Sequence, residues 1–209
     1  MPKQVDHHAR RLQLLDAMMV ITRRDGWDAI SLRHVAAEAG VSMGMVQHYF
    51  TTKDQMLRFA VEMMGEDTKQ RIRARVAALP QPIAPRRLVQ LVLTEMIPDP
   101  QRRPEEAQAA EVWVRRFAIT PDPDSPLASG YDDVKNLFAD QIGQVRPGKA
   151  AAERDADALI ALLDGLIYNI VTGNQTARTA NAIMRAQLDY VFGVSSAEGR
   201  TAQPISSPP

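Results

Sequence analysis

The stretch VAAEAGVSMGMVQHYF, Val35 to Phe50, holds two short helical patterns separated only by Gly40, Val41 and Ser42. Helices of about two turns are unstable alone in water. Flanking elements must therefore bury one side of each. Leu32, Val35, Ala36 and Ala39 give the first an inward face. Val41 and Val46 meet it from the second, and Phe50 closes the edge. Ala36, Ala37 and Ala39 permit close helix approach, and Gly40 suits a positive φ at a helix C-terminus. Ser31 and Ser42 are predicted N-caps.

The flanking elements are legible as helices. A first helix is predicted over 9–24, ended by Gly26 and carrying Arg23 and Arg24 in its last turn. Thr52 and Gln55 have capping-box spacing and open a fourth helix toward Leu79. Further helices are expected over 85–97, 105–119, 127–145, 151–173 and 180–192, separated by segments rich in Pro, Gly and Asn. Periodicity thus gives an all-α chain of about nine helices. The domains expected are a helix-turn-helix unit over 1–54, a larger helical unit over 55–193, and a disordered Ser/Pro/Gly-rich tail over 194–209.

Composition narrows the function classes. The chain has no cysteine, which excludes disulfides and thiolate metal sites. It has no apolar run long enough to span a bilayer and no signal-peptide pattern, so a cytoplasmic location is expected. No phosphate loop, HExxH or nucleophile elbow is present, so neither an enzyme nor a cofactor is expected. Asp132–Asp133 and Glu105–Glu106 read as solvated charge, and His7–His8 as a frayed terminus unsuited to hold a metal. Formal net charge is zero, but residues 1–75 carry 12 Lys/Arg against 9 Asp/Glu, which permits an anionic partner there.

The paired short helices have the layout of a helix-turn-helix, whose second member enters the DNA major groove. Its outward residues here are Ser42, Met43, Gly44, Met45, Gln47 and His48. Gln47 can pair bidentately with adenine, and Met43 or Met45 can touch a thymine methyl. Gly44 costs a helix about 1 kcal/mol relative to Ala, a cost that close approach to base edges would explain. Lys53 with the N-terminus of the fourth helix, Tyr49, Thr51, Thr52 and Arg33 suit phosphates. Short helix pairs also occur in helical proteins that bind no DNA, so the residues alone leave both readings open.

LLDAMMVITRRDGWDAISLRHVAAEAGVSMGMVQHYFTTKDQML, Leu14 to Leu57, closely resembles the DNA-binding domain of the TetR/AcrR family of regulators. The resemblance rests on Gly26 and Trp27, the cap Ser31, Ala39–Ser42, the aromatic pair Tyr49–Phe50, and Lys53. GMVQHYF is nearest in flavour to the choline-operon, BetI-type subgroup. Two positions depart from the family: Gln47 where an aromatic is common, and Thr22 where Phe is usual. The resemblance implies a homodimeric repressor that binds double-stranded, palindromic DNA and is released by a small-molecule effector. It also implies that the C-terminal region dimerises and holds the effector.

Residues in that region agree in outline. The eighth helix is apolar nearly all round, as expected of a helix with two faces to bury. Ala158, Ala161, Leu162, Gly165 and Leu166 on it, with Met184, Leu188 and Val191 on the ninth, form the expected dimer interface. A helix wholly buried within one chain would carry the same pattern. A mostly apolar effector is expected against Leu93, Met96, Trp113, Phe117, Tyr131, Phe138, Tyr168 and Asn169. Each of these alone fits plain core better than ligand contact.

Overall fold

The computed structural model describes residues 7–114 and 126–193. The described residues form nine α-helices and no strand. They are α1 (His7–Asp25), α2 (Leu32–Glu38), α3 (Met43–Tyr49), α4 (Lys53–Ala77), α5 (Pro85–Met96), α6 (Pro104–Val112), α7 (Pro126–Gly143), α8 (Lys149–Val171) and α9 (Ala177–Val191). A single 3-10 turn, Trp27–Ala29, separates α1 from α2. The expected all-α architecture is the one found. The tail 194–209 and Phe117 lie outside the described residues. α1 begins at His7, so His7 and His8 form its first turn rather than a frayed end.

Each short helix begins as its sequence dictates. The side chains of Ser31, Ser42 and Thr52 accept from the backbone N–H groups of His34, Met45 and Gln55. Gln55 returns the favour one residue early, accepting from the Thr51 N–H and hydroxyl at 2.9 and 2.7 Å. Gly40 takes φ 65°, which turns the chain from α2 into α3 without a Cβ clash. Proline stands first in α5, α6 and α7, where its missing N–H is no loss.

Two cores result. The N-terminal core gathers Leu14, Met18, Ile21, Trp27, Val35, Val46 and Phe50 with Met56, Leu57, Ala60 and Val61 from the first turns of α4. The 54/55 boundary therefore falls at the start of a helix whose first two turns belong to the N-terminal core. Thr22 is buried there, and its hydroxyl donates to the Met18 carbonyl at 2.8 Å, so no polar group is stranded where the family usually has Phe. The second core joins α5, α7, α8 and α9 through Val89, Leu93, Phe138, Ile142, Leu159, Leu163, Ala180 and Leu188.

α4 belongs to both cores, and α6 is buried in the first while packing beside α8 of the second. Ile72 of α4 packs on the C-terminal core, whereas Ala109 and Val112 of α6 are buried in the N-terminal one. A cluster of charges fastens α4 and α5 to α6. Glu95 of α5, only 4% exposed, meets the guanidinium groups of Arg71 and Arg75 from α4 and of Arg103 before α6. Glu106 completes the cluster, 2.7 Å from both Arg71 and Arg103. Glu106 is thus half-buried and paired, not the solvated charge expected from its neighbour Glu105.

Removing the buried carboxylate would leave three guanidinium groups with Glu106 alone to answer them. Glu95→Ala is expected to lose about 3 kcal/mol of folding free energy, measured by urea denaturation. A loss below about 1 kcal/mol would mean that the arginines are held by water instead.

Candidate functional site

The surface expected to read DNA is set by α3. Its Val46 is fully buried in the N-terminal core, which fixes the helix against α2 and turns the opposite side outward. Ser42, Met43, Gly44, Gln47 and His48 are exposed, and Met45 and Tyr49 are half-buried. Seven residues at about 1.5 Å each give a rod near 10 Å long, within the roughly 12 Å width of a major groove. A Cβ built on Gly44 would meet only the Ser42 hydroxyl, at 4.0 Å, so nothing within the chain requires glycine there.

Arg33, Thr51 and Thr52 flank α3 on the exposed surface, and Lys53 is half-buried. The Lys53 ammonium donates to the Asp28 carbonyl at 2.9 Å, tying the 3-10 turn to the start of α4. Two of its three donors remain for an anion. The tie is a role that helix propensity and capping rules gave no means to anticipate.

A cavity of about 290 Å³ opens between α4, α6, α7 and α8. Of the residues expected around an effector, Met96, Trp113 and Tyr131 line it. Leu93 and Phe138 do not, being sealed in the C-terminal core at 0% exposure. Tyr168 and Asn169 also lie off its wall: Tyr168 is 52% exposed, and Asn169 turns back to the Gly165 carbonyl. A helix with apolar residues all round does not announce which side faces a void.

The cavity's polar residues were not anticipated. Glu62, Glu66, Glu95, Glu106 and Asp164 all line it, against Lys69. The Tyr131 hydroxyl donates to Asp164 at 2.7 Å. Burial and that carboxylate hold the Tyr131 phenol well above its ordinary value, so it stays a donor. Burial likewise pushes the Asp164 and Glu106 carboxyls up, although Tyr131 opposes the shift at Asp164 and Arg103 and Arg71 oppose it at Glu106. Asp164 sits one helical turn after Ile160, inside the most apolar segment of the chain. An acid there was the available signal.

The expected interface residues divide. Ala158, Ala161 and Gly165 of α8 are exposed, and Leu162 is half-buried. Leu166, Met184, Leu188 and Val191 are at most 3% exposed and face the chain's own core. The outward side of α9 instead carries Ile183 and Tyr190, 38% and 75% exposed.

A carboxyl held above its unfolded value favours folding only while protonated. That contribution is complete below the unfolded value and vanishes as pH rises through the folded one. At neutral pH the burial of Asp164 is therefore a cost to the fold. Asp164→Asn is expected to melt above wild type at pH 7.5, with the advantage shrinking toward about pH 4. An advantage independent of pH would show that ionisation is not its source.

Residues 14–59 match the model of the family described as "Bacterial regulatory proteins, tetR family". The chain is 32% identical over 209 residues to the HTH-type transcriptional regulator PksA of Bacillus subtilis (strain 168), covering 97% of this chain and 98% of that protein. It is 33% identical over 191 residues to the HTH-type transcriptional regulator BetI of Escherichia coli (strain K12), covering 88% and 95%. Its fold is that of a regulator from Saccharomonospora viridis crystallised with choline, at a TM-score of 0.70 and 19% identity, over 88% of this chain and 97% of that one. The chain belongs to the TetR family of bacterial regulatory proteins and is a DNA-binding transcriptional regulator, not an enzyme.

Proposed function

We propose that this regulator is a repressor that binds a palindromic operator as a homodimer and is released when a small molecule enters the cavity between α4, α6, α7 and α8. The observation that carries the reading is the double membership of α6. Its Glu106, Ala109, Ala110 and the following Trp113 border the cavity, while Ala109 and Val112 sit in the core of the reading head. Arg23 of α1 also reaches Glu105 of α6 at 3.6 Å. A ligand that favours a different setting of α6 would move the head by the same packing. Its affinity must differ between the two settings for any switching to follow.

In this reading Met43, Met45, Gln47 and His48 face base edges. Ser42, Tyr49, Thr51, Thr52, Lys53 and Arg33 hold phosphates and fix register. Two heads related by a two-fold axis would span half-sites about 34–36 Å apart. Ala158, Ala161, Leu162 and Gly165 of α8, joined by Ile183 and Tyr190 of α9, would form the self-complementary face. Small residues on α8 let two backbones come close, and the exposed tyrosine and isoleucine supply apolar area.

DNA flanking the protein's own gene is the first substrate to test, by fluorescence anisotropy across a salt series, where affinity should fall steeply with salt. Gly44→Ala is expected to stabilise the free protein by up to about 1 kcal/mol and yet weaken that DNA at least tenfold. Lys53→Ala should weaken all sequences alike, and Gln47→Ala should alter preference at one base position. Unchanged binding in all three variants would remove α3 as the reading element.

The dimer face has its own test. Gly165 has open space where a Cβ would stand, so the isolated fold tolerates a large side chain there. Gly165→Trp should weaken self-association at least tenfold by sedimentation while far-UV circular dichroism stays that of the wild type. A dimer of undiminished affinity would place the interface elsewhere.

A further inference from the structure

We infer that Gln13 of α1 is a positioning residue for DNA reading: its side-chain amide grips the backbone at the turn between α2 and α3 and so sets the angle at which α3 is presented. The inference rests on α3 as the reading element and adds a residue that lies outside the reading surface.

A helix leaves its last four carbonyls without partners inside the helix. At the end of α2 the Val41 N–H donates to the Ala36 carbonyl at 3.0 Å and the Gly40 N–H to the Ala37 carbonyl at 3.2 Å, a pair of bonds that the positive φ of Gly40 makes possible. The Ala39 carbonyl, directly before Gly40, accepts instead from the Gln13 side-chain amide at 3.0 Å. Arg10 donates to the Gln13 side-chain oxygen at 2.7 Å. Arginine has donors and no acceptor, so this bond assigns the oxygen end of the amide and turns its NH2 end toward Ala39.

The place of the bond gives it leverage. α3 packs on α2, and α2 on α1. Gly40, Val41 and Ser42 alone stand between Ala39 and the first residue of α3. Holding the Ala39 carbonyl fixes the peptide plane from which Gly40, the most permissive residue type, directs the chain. For a helix about 10 Å long, a tilt of about 10° at the turn displaces the far end by about 2 Å. Hydrogen bonds to base edges do not survive such a displacement, whereas long basic side chains follow a phosphate. Loss of the grip on Ala39 therefore reduces sequence discrimination more than general affinity.

Packing does not replace this bond. A groove bordered by Leu12, Asp16, Val20 and Glu38 separates α1 from the end of α2, and Gln13 meets Ala39 across it. Arg24 of α1 also reaches Glu38 of α2, at 3.1 Å, but that pair joins two side chains at the surface and does not hold the backbone.

The test uses a duplex that the full-length wild-type protein selects from a random pool, and a scrambled duplex of the same composition. The quantity measured by fluorescence anisotropy is the ratio of the two affinities. Gln13→Glu keeps the size and the Arg10 contact but sets a carboxylate oxygen against the Ala39 carbonyl, and Gln13→Met removes the donor without adding charge. Each should lower the ratio by about fivefold or more. Gln13→Lys, which keeps an N–H donor, should retain most of it. Arg24→Ala removes the neighbouring tie and should leave the ratio within about twofold of wild type. Thermal melts accompany each variant. A partly unfolded variant loses both affinities alike, so a merely structural role would not move the ratio. Wild-type ratios in Gln13→Glu and Gln13→Met, a fall of the same size in Gln13→Lys, or an equal fall in Arg24→Ala would each overturn the assignment. Gln47→Ala separates it from the reading on which it rests. If Gln47→Ala changes the ratio and the Gln13 variants do not, the inference falls and α3 remains the reading element. If none of them changes it, or the wild type selects no sequence, both fall.

Discussion

The two cores of this protein are not independent, because α4 is shared between them and α6, buried in the first, packs on α8 of the second. α4 is long enough to bury its first turns under the reading head and later residues under the C-terminal bundle. α6 is short, yet one face packs into the head and the adjoining face borders a void. The head helices α2 and α3 could not stand alone at seven residues each. Their position is therefore fixed by the core they share with α1, the first turns of α4, and α6. The charge cluster centred on Glu95 holds α4 and α5 to the start of α6 at the same junction. A closely packed junction responds by moving between discrete arrangements rather than by yielding gradually. That is the property a regulator with a distant reading head requires.

Much of the head was legible in the sequence because local rules act there without competition. Serine and threonine caps, the glycine at the turn, and the spacing of Val35, Val46 and Phe50 all point to one arrangement, and the helices form as read. The C-terminal region was legible as helices but not as faces. α8 is apolar nearly all round, so its periodicity does not distinguish core, cavity and exterior. On α9 the residues expected at the interface, Met184, Leu188 and Val191, are the ones the chain buries for itself. A single chain satisfies its own core first, and an interface receives what remains.

The charged residues were the least legible. Nothing in the spacing of Arg71 and Arg75 along α4 names a partner for them, and Glu105–Glu106 read as one solvated pair. Helical periodicity places residues on a face but says nothing of what stands opposite. Glu95 becomes a buried hub only because α4 passes on one side of it and Arg103 on the other. The same reasoning applies to Lys53, whose bond to Asp28 joins residues 25 positions apart through a turn that no spacing rule connects.

Two glycines break a local rule and meet no compensating contact among the described residues. Gly44 weakens a helix in which a methyl group would meet no backbone or apolar neighbour. Gly165 does the same in the middle of α8. Sequences that fold well agree with themselves at every level, and departures concentrate where something other than folding decides the residue. The two departures lie on different surfaces, the outward side of α3 and the exposed side of α8. Under the proposed function each is a cost to the isolated chain that a different external body would offset: a duplex that needs close approach for Gly44, and a second copy that needs close approach for Gly165. A protein selected for stability alone would hold Ala at both positions.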